Sequence, residues 1–100
     1  MRNTILQVIL DSVAHINETL EVQLPLSLGE NCPLYGESSI LDSIGLVTLI
    51  VNVEQNIEDK LNVPIILANE KAMSRRNSPF LTIATLTNYT LELVKEEQNV

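Results

Sequence analysis

Residues 39–51 read SILDSIGLVTLIV, an apolar run interrupted by one small polar pair, Asp42-Ser43. Short side-chain oxygens of this kind accept hydrogen bonds from the orphan N–H groups of a first helical turn, so the pair marks a helix start. The residues that follow are spaced for a helix. Val47, Ile50, Val53 (or Glu54), Ile57 and Leu61 recur at steps of three and four, with Ile44 and Leu49 alongside. This spacing predicts a helix over 42–61 with that set as its buried stripe. Asn62-Val63-Pro64 ends it, because proline lacks a donor and drives Val63 out of helical geometry.

Working outward, Ile5, Ile9, Val13, Ile16 and Leu20 draw one apolar stripe and predict a first helix over 3–21, capped by Asn3 or Thr4. Between the two helices lies VQLPLSLGENCPLYGESS, residues 22–39. Pro25, Gly29, Pro33 and Gly36 make it a loop, and its leucines predict that it packs across helix ends. After the second helix, residues 63–67 are β-rich but have no partner strand, so they read as an extended segment filling a gap. Residues 69–74 can form a short helix with Ala72 and Met73 inward. Ser78 is a good N-cap, and Pro79 suits the first position of a last helix. The buried face of that helix is Phe80, Ile83, Leu86, Tyr89 (or Thr90) and Leu93, extended by Val94. The expected fold is all-α, a four-helix bundle of three main helices and one short one, with a long loop between helices 1 and 2.

One hundred residues suit a single domain, with its core at about 3–94 and a polar tail. The apolar fraction is 45% but only 3% of residues are aromatic, so the core must be Leu, Ile and Val. A net charge of −7 repels nucleic-acid phosphates and anionic membrane and favours partners with basic patches. No apolar run approaches the ~18 residues of a membrane span, and no secretory leader is evident, so a cytoplasmic protein is expected. Cys32 is the single cysteine and reads as a small apolar loop residue. His15 is the single histidine and reads as a helix-edge residue. The basic cluster Lys71, Arg75 and Arg76 reads as a solvated loop that offsets nearby acids, against the sharper reading of a phosphate contact or a recognition site at Ser78. No metal-ligand spacing is present.

Three readings of Ser43 compete. It can be a helix cap and nothing more. It can be a hydrolase nucleophile, but the strained elbow that exposes such a serine needs glycines two residues to either side; Gly45 is present, and position 41 is Leu. A lone, remote histidine gives an acyl-transfer triad little to work with. Third, it can carry a phosphate-linked prosthetic group. A helix N-terminus offers unpaired N–H groups and the positive end of the helix dipole to a phosphodiester.

Here the chain resembles a known family. Leu41-Asp42-Ser43-Ile44 looks like the D-S-L attachment motif of acyl carrier proteins and related phosphopantetheine-binding carrier domains. IGLVTLIVNVEQNIEDKLNVPI (44–65) resembles that family's second helix and the apolar-Pro step after it, and TIATLTNYTLELV (82–94) resembles its last helix. The first helix and the Leu-rich loop also fit in order and length, so the resemblance spans about 3–94. It implies that Ser43, beside Asp42, carries a 4′-phosphopantetheine arm donated from coenzyme A by a phosphopantetheinyl transferase. Partner enzymes would do the catalysis, and the chain itself would be no enzyme. An aminoacyl or aryl carrier loaded by an adenylating ligase is the nearest alternative. A non-modified helical interaction module is the alternative of another class.

Two departures refine the expectation. Carriers of fatty acid synthesis expose acids soon after the serine, whereas here Gly45, Leu46, Thr48, Val51 and Asn52 come first and acids wait until Glu54, Glu58 and Asp59. The expected partner surface is therefore more apolar, built from Ile44, Leu46, Val47, Val51 and Glu54. The segment ILANEKAMSRRNSPF (66–80) is longer than usual and resembles a subgroup of stand-alone bacterial carriers, which points to a specialised secondary-metabolite, lipid or polysaccharide pathway. Val47, Ile50, Ile66, Leu67 and Leu86 are the expected lining of an acyl pocket, and a monomer is expected.

Overall fold

The computed structural model describes residues 2–20, 22–34, 43–67 and 79–98. Three helices carry the fold: α1 (Arg2–Asn17), α2 (Ser43–Leu61) and α3 (Ile83–Gln98), with a 3-10 helix (Leu26–Asn31) between α1 and α2. The architecture is all-α. The short helix expected over 69–74, the basic cluster and Ser78 lie outside the described residues.

Helix α1 is the hub. It packs against both α2 and α3, while the backbones of α2 and α3 make no direct approach among the described residues. Its stripe of Ile5, Val8, Ile9, Val13 and Ile16 is buried accordingly. The helix starts one residue earlier than its spacing suggested, so Asn3 and Thr4 lie within it rather than capping it. Arg2 ties this end down, its Nε donating to Asn88 Oδ1 at 3.0 Å and its guanidinium pairing with Glu30. That pairing holds the Glu30 carboxyl below its ordinary range.

The helix also stops earlier than residue 21. Glu18, Thr19 and Leu20 donate to the carbonyls three residues back, which tightens the last turn. Asn17 explains the turn. Its side chain accepts from Leu24 N–H at 2.8 Å and donates to Leu24 C=O at 3.2 Å, standing in for a strand partner. The loop thus packs across the helices as expected, burying Leu24, Cys32 and Leu34. Its 3-10 helix is broken at Gly29, whose φ of 58° needs glycine. Burial raises the Cys32 thiol pKa.

Helix α3 corrects a local expectation. Pro79 is not its first residue: Pro79 and Phe80 form a buried turn, and the helix begins at Ile83. The cause is long-range pairing. Leu34 N–H donates to Leu81 C=O at 2.7 Å and Ile83 N–H to Cys32 C=O at 3.1 Å, around an antiparallel bridge of Pro33 with Thr82. That holds 81–82 extended, and the cap passes to Thr82. Its Oγ1 accepts from Thr85 N–H (3.2 Å) while Thr82 N–H donates to Thr85 Oγ1 (3.0 Å), a reciprocal capping box. Thr82→Ala is expected to cost about 1 kcal/mol, read as a lower urea midpoint. An unchanged midpoint would return the helix start to Pro79.

The buried face of α3 holds Ile83, Leu86, Tyr89 and Val94, with Leu93 half-buried. Phe80 meets Tyr89 edge to face, 6.2 Å between centroids. Thr87 and Thr90 are fully buried too, each satisfying its hydroxyl on the carbonyl four residues back at 2.7 Å.

Candidate functional site

Ser43 is the first residue of α2. A residue at that position belongs to the turn whose N–H groups have no helical partner, so the backbone there presents donors and partial positive charge. Asp42 lies outside the described residues.

The helix that follows is turned differently from the expected stripe. Leu46, Leu49, Ile50, Val53 and Ile57 form the buried face, and Leu46 is only 5% exposed. Val47 and Ile44, expected in or beside the stripe, are 54% and 78% exposed, and Val51 is 43% exposed. The physical reason lies in the spacing: a stripe through Leu46, Ile50, Val53 and Ile57 is apolar at every step. The expected stripe shares Ile50, Val53 and Ile57 with it and differs at the start of the helix, where Leu46 and Leu49 take the inner side. Leu46 is therefore a core residue and not a partner contact.

Ile44, Val47 and Val51 make an exposed apolar stripe that starts one residue from Ser43, at steps of three and four. Three β-branched apolar side chains in a row on an acidic protein have no solvation reason to be there, and contiguous apolar patches mark interaction surfaces. Thr48, beside them, returns its hydroxyl to Ile44 C=O at 2.9 Å. Glu54 extends the same side of the helix and is half-buried, its Oε1 accepting from Leu67 N–H at 2.9 Å.

The expected pocket lining divides. Ile50, Leu67 and Leu86 all belong to the one buried cluster of the core. Val47 and Ile66 do not: Ile66 is 68% exposed and faces away from it. The sequence reading missed the inward alternation of Val63, Ile65 and Leu67, all buried, against exposed Pro64 and Ile66. That period of two was visible in VPIIL only once its inner side was known.

An open groove of about 630 Å³ lies elsewhere, where the first half of α1 faces the last turns of α2. It is lined by Asn3, Gln7, Asp11, Asn56 and Asp59 among others. Asn56 is 13 residues beyond Ser43, about 20 Å along the helix axis. Its amide donates to Ser12 Oγ at 2.9 Å, and Ser12 donates to Val8 C=O, so this polar seam is internally satisfied. The groove is not part of the Ser43 site.

His15 is on an exposed face of α1 with its Nδ1 3.8 Å from Glu18. Among the described residues no group of three or more His, Cys, Asp or Glu could hold a metal ion. No described helix is long and apolar enough to cross a membrane. The chain matches no protein-family model, no curated protein and no solved structure.

Proposed function

We propose that the chain is a carrier protein that bears 4′-phosphopantetheine on Ser43 and presents tethered acyl groups to partner enzymes. The observation that carries the reading is the position of Ser43 as the first residue of α2, immediately before the exposed stripe Ile44, Val47 and Val51. The carrier fold itself, as distinct from the all-α architecture, is part of the proposal and rests on the resemblance of 41–65 and 82–94 to that family.

The residues suit the group. Backbone N–H groups of the first turn of α2 favour a phosphodiester at Ser43. The 78% exposure of Ile44 leaves this helix end open to a modifying enzyme. In the attachment the Ser43 oxygen would bond to the pantetheine-side phosphorus of coenzyme A as the pyrophosphate bond breaks, the adenosine bisphosphate leaving and the hydroxyl proton passing to the transferase or to water. When bound, the arm supplies a thiol that holds an acyl group as a thioester. The chain's own contribution is to place that arm beside an apolar docking stripe. Cys32, fully buried with a raised thiol pKa, is not the acyl-bearing sulfur.

The partners are then a phosphopantetheinyl transferase, a loading ligase and downstream acyl-using enzymes that cover the stripe with apolar surface and meet Glu54 and Glu58 with basic groups. The apolar stripe favours a specialised pathway over general fatty acid synthesis. Incubation with coenzyme A and a broad-specificity transferase is expected to add one phosphopantetheine to the intact mass. A folded chain that gains nothing, beside a control carrier that does, would leave Ser43 as a helix start and the stripe as the surface of an interaction module.

A further inference from the structure

Residues 63–67 form a strap, and we infer that Glu54 is the latch that holds it closed over the core beside α2. The strap begins where Asn62, at a φ of 57°, turns the chain out of α2. From there Val63, Ile65 and Leu67 point inward and Pro64 and Ile66 outward. Five extended residues span about 16 Å. Glu54 lies seven residues before the end of α2, about 10 Å along its axis. The 2.9 Å bond from Leu67 N–H to Glu54 Oε1 therefore means that the strap doubles back along α2.

What it covers follows from the packing. The α2 and α3 backbones do not approach one another, so side chains must fill the space between them. Leu67 from the strap is fully buried in the core cluster to which α1, α2 and α3 all contribute. The strap is held there by its inward apolar side chains along its length and by a carboxylate at its far end. A hydrogen bond to an ionised acceptor is among the stronger local ties available, and this one joins residues 13 apart in sequence. Releasing it frees the end of the strap that carries Leu67, while leaving α1's contacts with both helices intact. Glu54 is a positioning residue in this scheme. It also sits one turn from Val51, so a partner seated on the exposed stripe lies beside the latch.

The inference concerns the unmodified chain and stands whether or not Ser43 is loaded. Amide hydrogen exchange tests it. In Glu54→Ala, exchange at Leu67 is expected to rise at least tenfold while Leu49 and Val53 keep their wild-type rates, and a neutral apolar dye such as Nile red is expected to bind more tightly. Glu54→Gln, which keeps an acceptor oxygen, is expected to lie between. Gln55→Ala, on an exposed site of the same helix, is expected to match wild type. An unchanged Leu67 rate in Glu54→Ala, or a rise shared equally by Leu49 and Val53, overturns the latch. The wild-type chain gives a reading that needs no variant: below the urea transition, exchange at Leu67 is expected to stay flat while that of Leu49 and Val53 steepens. A common slope for all three overturns the strap as a separate opening unit.

Discussion

Ser43→Ala is expected to lose all phosphopantetheine loading and almost no stability. The two effects separate because of where the residue sits. As the first residue of α2, Ser43 contributes an N–H that has no helical acceptor in any case. Alanine is the best helix former, so the substitution keeps the helix and removes only the hydroxyl. The expected change in unfolding free energy is within about 0.5 kcal/mol. Intact mass and a urea curve, taken on the same sample, check both halves. A variant that keeps its fold and still gains one phosphopantetheine would move attachment to another hydroxyl. A loss of several kcal/mol would make the serine a structural residue first.

Ile9→Ala is expected to have the largest effect on stability. Ile9 is fully buried in α1, the helix that packs against both of the others, so the cavity is opened at the centre of the molecule. Truncations of this kind cost about 2–5 kcal/mol, because the surroundings collapse only in part. A domain of this size has about 5–15 kcal/mol in all. The melting temperature should accordingly fall by roughly 10 °C or more, at about 4–8 °C per kcal/mol. In urea the midpoint should drop with little change in slope. Val47→Ala removes apolar carbon from an exposed position of α2 and is expected to stay within about 0.5 kcal/mol of wild type. If the two variants were equally destabilised, the assignment of Val47 to the surface would be wrong.

The contrast between these positions also shows what the sequence can and cannot disclose. The inner face of α1 was legible because Asn3, Gln7, Asp11, His15 and Glu18, at steps of four and three, mark a polar stripe opposite it. In LVTLIV, residues 46–51, every position except Thr48 is apolar, so two registers one residue apart both look like helix faces. The two share Ile50, Val53 and Ile57, and nothing in the local pattern chooses between Leu46 and Val47. The start of α3 failed for a different reason. Ser78-Pro79 is a strong local signal, but it lost to hydrogen bonds from Cys32 and Leu34, some fifty residues away, which no local pattern encodes. Ser43 itself was legible as a helix start from Asp42-Ser43 alone. The bond from Leu67 to Glu54 was not, since only a chain that reverses direction at Asn62 brings the two together.

The central place of α1 bears on how the chain is made. It is synthesised first and can meet α2 once that helix has left the ribosome, but its second face has no cover until α3 follows. At about 5–20 residues per second, the interval between completing α2 and completing α3 is roughly 2–7 s. Throughout it, part of an apolar helix surface stays open to solvent or to whatever binds nascent chains. A chain that has released α2 from the ribosome but not α3 would therefore expose a half-covered helix pair, and anything that lengthens that interval widens the window in which two nascent chains can associate.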